Sequence, residues 1–312
     1  MSSQQHRGRG RTTLATLVAA ALLTSGVAAA APGAATADSV KPLKSVSHAA
    51  KGGGKDKLGA ADRAKLAKAE RAGDKTVTAM IMTKPSSTKQ LARAIEAAGG
   101  RAVALPADVG ESAQAERAVA DAVAALGGLD VLVLAHGVGG SAAVGDDTPE
   151  RWDEVLRINL TGAFLMARAA LPHLEAGGGA IVTVASTNAW AAGPGWASYN
   201  TSKAGLVMLT ASIANDYGPR GVRANCVCPG WVRTPMADGD MDDVAARHGT
   251  DRDGAYRLTS STTPLRRPAE PDEVAAVIAF LAGPDAGYVT GATIPVDGGA
   301  SVVDGTSVPY HA

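Results

Sequence analysis

Aromatic residues, cysteines and net charge are all scarce in this sequence. Phe, Trp and Tyr together make up 4% of its 312 residues, and 30 basic residues balance 30 acidic ones. The charge balance gives no indication of nucleic acid or of an acidic surface as a partner, because such partners select basic proteins. Hydrophobic residues account for 46%, which is enough to build a core. The motifs, rather than the composition, must therefore identify the chemistry.

The two cysteines, Cys226 and Cys228, lie in the apolar stretch VRANCVCPG. On a strand, residues two apart point to the same face and lie about 6–7 Å apart along the chain. A disulfide across that distance would be strained. We interpret both cysteines as small buried residues of a strand, with a metal or redox site as the alternative. The six histidines have no metal-ligand spacing, so no metal is predicted.

Residues 1–37 have the pattern of a secretory signal peptide. Arginines near the start precede an apolar run at 14–31, and small residues up to Ala37 follow it. A charged start, an apolar centre and a small-residue exit are typical of a cleaved leader. A membrane anchor is the alternative, but no second apolar segment of spanning length follows, so no membrane span is expected after cleavage. We predict a secreted protein, or a cytoplasmic one if the leader does not function.

Residues 38–87 differ from the rest in composition. They begin with a Gly- and Lys-rich stretch typical of a linker, continue as a short basic helix and end in an apolar strand at 76–82. Together with the leader, this order resembles the start of a secreted subtilisin-like protease precursor with part of its propeptide. No catalytic motif accompanies it, and Ser307 lies five residues before the end of the chain. A serine without its base and orienting acid is not a nucleophile, so a protease is disfavoured.

From residue 88 to 312 the sequence alternates helical and apolar segments, which we interpret as a third region. Helices are predicted at 89–100, 112–128, 148–179, from 198 onward and at 271–283. Strands are predicted at 101–109, 129–137, 180–186, 222–230 and 292–299. Continuous apolar strands that alternate with helices indicate a parallel sheet covered on both faces. The predicted fold class is therefore α/β, with a doubly wound parallel sheet.

Four polar residues in the predicted strands and helices form a candidate site. Asn159 lies within the long helix, and Ser186 ends a strand. Tyr199 follows thirteen residues later, and Lys203 lies one helical turn further on, so both occupy one helix face. A cation near a tyrosine favours the phenolate, which lowers the tyrosine pKa towards the range for acid–base catalysis. Ligands bind at the carboxyl edge of such sheets, where we expect these side chains to meet.

These four residues, with the Pro-Gly turn that follows them, are the pattern of the short-chain dehydrogenase/reductase family. Residues 89–303 resemble that family throughout. The resemblance implies NAD or NADP as cofactor and a small alcohol or ketone as substrate. It implies that Tyr199 is the general acid/base and that Ser186 binds the substrate oxygen. It further implies that Lys203 holds the nicotinamide ribose and that Asn159 organises a proton-relay water.

The same resemblance assigns further residues to the cofactor. They are Asp108 and Val109 beside the adenine, Ala135 and Gly137 after the fourth family strand, and Pro229, Gly230, Val232 and Thr234 around the nicotinamide. An ordinary helix N-cap is the alternative for Asp108. His136 departs from the family pattern Asn-Asn-Ala-Gly, and we interpret it as a packing substitution.

The front of the family fold has no counterpart in the sequence. The family begins with a strand, a Gly-rich turn and a helix whose N-terminus holds the pyrophosphate, and none of these is recognisable before Lys89. The glycine cluster at 51–55 has the composition of a linker. We therefore predict a Rossmann-like sheet truncated at its first β-α-β unit, behind a chimeric N-terminus. The predicted function is an NAD(P)-dependent oxidoreductase; the alternative is an impaired or non-enzymatic fusion that cannot bind the dinucleotide.

The truncation leaves two predicted strands without neighbours. The family sheet has the strand order 3-2-1-4-5-6-7, so losing strands 1 and 2 opens a gap between 101–107 and 130–135. Unpaired backbone groups are costly when buried. We expect the strand at 76–82 to join the sheet beside 101–107, or 101–107 to pair directly with 130–135.

Substrate and assembly are predicted only coarsely. Trp190, Trp196 and Trp231 flank the expected site and either line an apolar pocket or simply pack. The segment 237–267 takes the family's substrate-lid position and has no dominant charge, which disfavours a strongly anionic, carrier-bound substrate. We expect a medium-sized apolar or alicyclic secondary alcohol or ketone. The predicted helices also resemble the family's dimer and tetramer interfaces, so we expect a homodimer or homotetramer.

Overall fold

A computed structural model of the chain describes residues 79–82, 92–93, 95–96 and 100–304. Five parallel strands form one sheet, in the order in which they occur along the chain. They are Ala79–Met82 (β1), Val131–Leu134 (β2), Ala180–Val184 (β3), Arg223–Pro229 (β4) and Thr293–Val296 (β5). The predicted α/β fold with a parallel sheet is confirmed. The predicted leader and the linker with its basic helix lie outside the described residues.

Helices connect the strands, and the last of them precedes β5. They are Ser112–Leu126 (α1), Pro149–Leu156 (α2), Gly162–Glu175 (α3), Ala197–Tyr217 (α4), Pro235–His248 (α5), Arg252–Thr259 (α6) and Pro271–Ala282 (α7). Shorter 3-10 turns occupy Thr187–Ala189, Gly218–Arg220, Pro284–Ala286 and Ala300–Val302. Within the described ranges, no helix is long and apolar enough to cross a membrane.

Apolar layers cover both faces of the sheet. Alternate residues of a strand point to opposite faces, and in β2 they enter different clusters. Leu132 and Leu134 pack with residues of α1, α3 and α4, whereas Val131 and Val133 pack with residues of α7. All four side chains are buried. The continuous apolar runs of the central strands are thus explained by a sheet that has no solvent-facing side there.

Several helices begin with a capping residue followed by proline. Thr148 caps α2 by accepting a hydrogen bond from the Arg151 amide, and Thr234 caps α5 in the same way from the Ala237 amide. Each is followed by a proline at the first helical position, where the missing N–H has no intrahelical partner to lose. These Thr-Pro pairs fix where the helices start, and α5 in particular begins directly after β4.

The predicted pairing of the first strand with residues 101–107 was wrong. β1 joins the sheet, but it pairs with β2, with Ala79 opposite Val131 and Met82 opposite Leu134. Residues 101–108 form no strand. With β1 beside β2, no ladder position is open there, and Pro106 cannot donate a backbone hydrogen bond.

Both cysteines are buried free thiols on β4, with their sulfur atoms 3.8 Å apart. They pack in the cluster that contains α4. Within the described residues, no group of three or more His, Cys, Asp or Glu side chains could hold a metal ion.

The first residue of α3, Gly162, packs closely against Val109. A Cβ at Gly162 would lie 2.6 Å from Val109 Cγ2 and 3.3 Å from the Val109 backbone carbon. We expect Gly162→Ala to lower the free energy of unfolding by about 1–3 kcal/mol, because overpacking outweighs the helix propensity of alanine. The measurement is urea unfolding followed by circular dichroism.

The matched control is Gly239→Ala in α5, where an added Cβ meets nothing within 4 Å. This substitution should leave stability unchanged or raise it by up to about 1 kcal/mol. Adding Val109→Ala to Gly162→Ala should restore part of the lost stability. Equal effects at both glycines would contradict the packing argument.

Candidate active site

A cleft of about 820 Å³ opens at the carboxyl edge of the sheet. Its walls include the loops that follow β2, β3, β4 and β5, and side chains of α4 and α5 complete them. This is the edge at which open α/β sheets bind ligands. Three of the four predicted catalytic residues, Ser186, Tyr199 and Lys203, line the cleft. The fourth, Asn159, is buried beside it.

Asn159 lies on a π-helical turn, Arg157–Thr161, between α2 and α3. Such turns interrupt helices most often at functional sites. The Asn159 Oδ1 accepts from the Val138 amide at 2.8 Å, and Nδ2 donates to the Val138 carbonyl at 2.9 Å. Nδ2 also donates to Ser202 Oγ at 3.0 Å. The side chain therefore ties the loop after β2 to α4.

Ser202 completes this connection and was missed by sequence reasoning. Its Oγ donates to the Tyr199 carbonyl at 2.7 Å while it accepts from Asn159. The hydroxyl is fully buried. Its position three residues after Tyr199 and directly before Lys203 is the one sequence signal that could have indicated it.

Lys203 is a buried cation that faces a backbone carbonyl. Its Nζ donates to the Val184 carbonyl at 3.0 Å, at the end of β3, and lies 5.5 Å from the Tyr199 ring centre. Burial lowers the pKa of Lys203 to about 8, and the thiols of Cys226 and Cys228 oppose that shift. Since Ser186 follows Val184 by two residues, this bond also fixes the strand end that presents Ser186.

Tyr199 and Ser186 form the polar end of the site. Burial raises the pKa of Tyr199 to about 12, a side-chain hydrogen bond with Ser186 opposes the rise, and the Asp240 carboxylate adds to it. Ser186 Oγ also accepts from the Asn188 amide at 3.2 Å. The expected lowering of the Tyr199 pKa by Lys203 is therefore not met, because desolvation of the phenolate dominates.

His136 is buried against the cleft, and neither ring nitrogen has a hydrogen-bonded partner among the described residues. Burial lowers the pKa of His136 to about 4, and the Lys203 ammonium lowers it further in the same direction, while a backbone group at Ile158 opposes the shift. A neutral imidazole therefore fills the position at neutral pH. This environment fits the packing substitution inferred from the sequence.

Six of the predicted cofactor residues line the cleft. They are Ala135 and Gly137, predicted after the fourth family strand, and Pro229, Gly230, Val232 and Thr234, predicted around the nicotinamide. A Cβ at Gly137 would lie 3.3 Å from both Asn159 Oδ1 and Lys203 Nζ, and one at Gly230 would lie 3.0 Å from Asp297 Cβ. Glycine thus allows these two backbone segments to lie close to Asn159, Lys203 and Asp297 while they line the cleft. The cleft, at about 820 Å³, has room for a nicotinamide and its ribose.

The predicted adenine residues lie apart from this cleft. Asp108 accepts from Arg157 Nη1 at 2.8 Å and from the Gly110 amide at 2.9 Å. Val109 is buried against Gly162. The N-cap alternative for Asp108 is wrong, because Glu111 occupies the N-cap position of α1, where its side chain makes no capping hydrogen bond.

The tryptophans divide between two environments. Trp196 and Trp231 line the cleft and meet edge to face, with ring centres 6.0 Å apart at 71°. Trp190 is 46% exposed and does not line the cleft.

Comparison with known proteins agrees with this geometry. The family model described as Enoyl-(Acyl carrier protein) reductase matches residues 63–301. The chain belongs to the short-chain dehydrogenase/reductase family. It is 36% identical over 206 residues to the meso-2,3-butanediol dehydrogenase of Serratia marcescens, covering 66% of this chain and 78% of that protein.

Two further relatives mark the range of the family. The chain is 49% identical over 151 residues to Protein MoaE of Klebsiella aerogenes, a match that spans 48% of this chain and 59% of that relative. The crystal structure of carveol dehydrogenase from Mycobacterium avium in complex with NAD superimposes with a TM-score of 0.66 at 27% identity, covering 71% of this chain and 83% of that one.

The burial of His136 predicts an acid-sensitive fold. The folded pKa, about 4, lies below the ordinary value of 6.5, so the unfolded chain binds the proton more readily. The contribution is fully present above pH 6.5 and is lost as pH falls through 4, by about 3 kcal/mol in all. We expect His136→Ala to flatten the dependence of unfolding free energy on pH in this window.

Urea unfolding at several pH values between about 7 and 4 provides the measurement. The difference between the two curves therefore reports the titration of His136, including its electrostatic interaction with Lys203. Parallel curves would show that the imidazole is hydrated or paired in solution.

Proposed function

We propose that the chain is an NAD(P)-dependent oxidoreductase that interconverts a secondary alcohol and a ketone. The observation that carries the proposal is the meeting of Ser186, Tyr199 and Lys203 in one cleft, with Asn159 bonded to the adjoining loop. These side chains come from three separate segments of the chain. The relatives named above support the same reaction class, since two of them are dehydrogenases of alcohols.

The cofactor supplies the hydride when bound, and this chain's residues supply position and protons. Ala135, Gly137, Pro229 and Gly230 would hold the nicotinamide end, because all four line the cleft beside Lys203. Val232 and Thr234 continue this wall as the chain enters α5. Asp108 and Val109 would hold the adenine end, beside Arg157.

Tyr199 would move the proton. At neutral pH its hydroxyl is protonated, because its pKa is about 12, and it can donate that proton to an alkoxide formed from a ketone. In the reverse direction the phenolate accepts the proton of the alcohol. Ser186, which is hydrogen-bonded to Tyr199, would donate to the same substrate oxygen and stabilise its negative charge.

Lys203 and Asn159 would act by holding this arrangement. The Lys203 ammonium places a positive charge 5.5 Å from the Tyr199 ring and near Gly137, where it can reach a ribose hydroxyl. Asn159 fixes the loop that contains Gly137 and Val138.

We also propose the organisation and assembly of the whole chain. Residues 1–37 are a leader that directs secretion, and a propeptide-like linker follows it. The catalytic domain expected at 88–312 also includes β1, because that strand pairs with β2. Exposed apolar side chains on two helices, Phe164 at 45% and Met208 at 67%, support a homodimer or homotetramer.

The decisive variant is Tyr199→Phe. We expect kcat/KM to fall by about 10²–10⁴ because the general acid is lost, while binding of NADH is retained. The assay follows NADH and NADPH absorbance with a panel of secondary alcohols that includes meso-2,3-butanediol and carveol.

Tyr217→Phe is the matched control, since Tyr217 lies at the far end of the same helix, stacked on Arg220. It should keep normal turnover. A Tyr199→Phe protein that stays active would overturn the role given to Tyr199.

A further inference from the structure

The cleft contains one carboxylate that the proposed reaction does not use. Asp240 lies on α5, lines the cleft and is partly buried. Tyr199 lines the same cleft, and the Asp240 carboxylate raises its pKa. The carboxylate and the proton-transferring hydroxyl therefore share one cavity.

Asp240 differs from the other charged side chains that line the cleft. Arg267 makes two hydrogen bonds of 2.7 Å to Glu273, and Asp297 accepts from the amides of Gly299 and Ser301. Asp240 has no hydrogen bond or ion pair within the part of the chain that the structure describes.

The two remaining cationic side chains that line the cleft also lie against other groups of the protein. Arg151 faces Asp147 at 3.8 Å, and Lys203 donates to the Val184 carbonyl. A partly buried carboxylate without a partner carries a desolvation penalty, which here raises the pKa of Asp240. A cationic ligand would remove that penalty.

The aromatic pair Trp196 and Trp231 is a second feature of the cleft that suits a cationic ligand. Trp231 packs against the cluster formed by α5 and α6, and α5 is the helix that carries Asp240. Trp196 meets Trp231 edge to face and directly precedes the helix that carries Tyr199. Indole faces attract ammonium groups and also pack against aromatic rings.

We infer that the substrate is a secondary alcohol or ketone that carries a protonated amine, held by Asp240 and packed against Trp196 and Trp231. This inference rests on the proposed function, whose reacting oxygen is at Tyr199. It differs from the apolar or alicyclic substrate expected from the sequence, because Asp240 is the one of the six charged side chains lining the cleft that has no partner among the described residues.

The test compares two alcohols of equal shape. One is phenylethanolamine, and the other is its isostere with a methyl group in place of the ammonium. We expect the full chain to oxidise the amine with a kcat/KM at least about tenfold higher, the size of one charge-assisted hydrogen bond. In Asp240→Asn this preference should fall to within about threefold.

Asp243→Asn is the matched control, because Asp243 lies on the same helix, is exposed and does not line the cleft. It should keep the preference for the amine. The same comparison with the homologues one methylene longer covers a different spacing between hydroxyl and ammonium. Equal use of amine and isostere at both lengths, or a preference that survives in Asp240→Asn, would overturn the inference.

A second readout separates this inference from the proposed function. Calorimetric titration with phenylethanolamine needs no cofactor and no turnover. Binding that is lost in Asp240→Asn and retained in Asp243→Asn supports the inference, even for a chain that transfers no hydride. Absence of binding, or a changed Kd for NAD rather than for the amine, would show that Asp240 does not hold the substrate.

Discussion

The pair of hydrogen bonds between the Asn159 side chain and the Val138 backbone is the contact on which the site depends. Three parts of the chain meet there: the loop after β2, the π-helical turn and α4, the last through Ser202. The amide satisfies both the N–H and the C=O of Val138, which are hard to pair away from regular structure. An aspartate or leucine at 159 would leave at least one of them without a partner, so the loop's course is fixed by one side chain.

Burial then sets the protonation of the groups held by this frame. Lys203 and Tyr199 both shift towards their uncharged forms, with pKa values of about 8 and about 12. An uncharged phenol is a proton donor at neutral pH, which suits the reduction of a ketone. The same desolvation makes an unpaired carboxylate in the cleft costly, and this is why Asp240 points to a cationic substrate group rather than to a structural role.

The sequence predicted the positions of helices and strands better than the pairing of the strands in the sheet. Apolar runs correctly indicated β2 to β5, and their alternation with helical segments indicated several helices. The strand predicted at 101–109 is absent, because β2 can pair with only one strand on that side and β1 occupies the place. The π-helical turn and the isolation of Asp240 depend on contacts between distant segments, which no local pattern encodes.

The central claim is that this site accepts a nicotinamide cofactor although the sequence has no recognisable Gly-rich phosphate loop. Titration of the purified chain with NADH and NADPH, followed by tryptophan fluorescence, tests it most directly. The account predicts saturable binding that Gly137→Ala weakens, because its Cβ would crowd Asn159 and Lys203. Gly128→Ala should leave binding intact, because Gly128 does not line the cleft and its Cβ would meet nothing within 4 Å. A folded chain that binds neither dinucleotide would contradict the account and favour a fusion that has lost its cofactor.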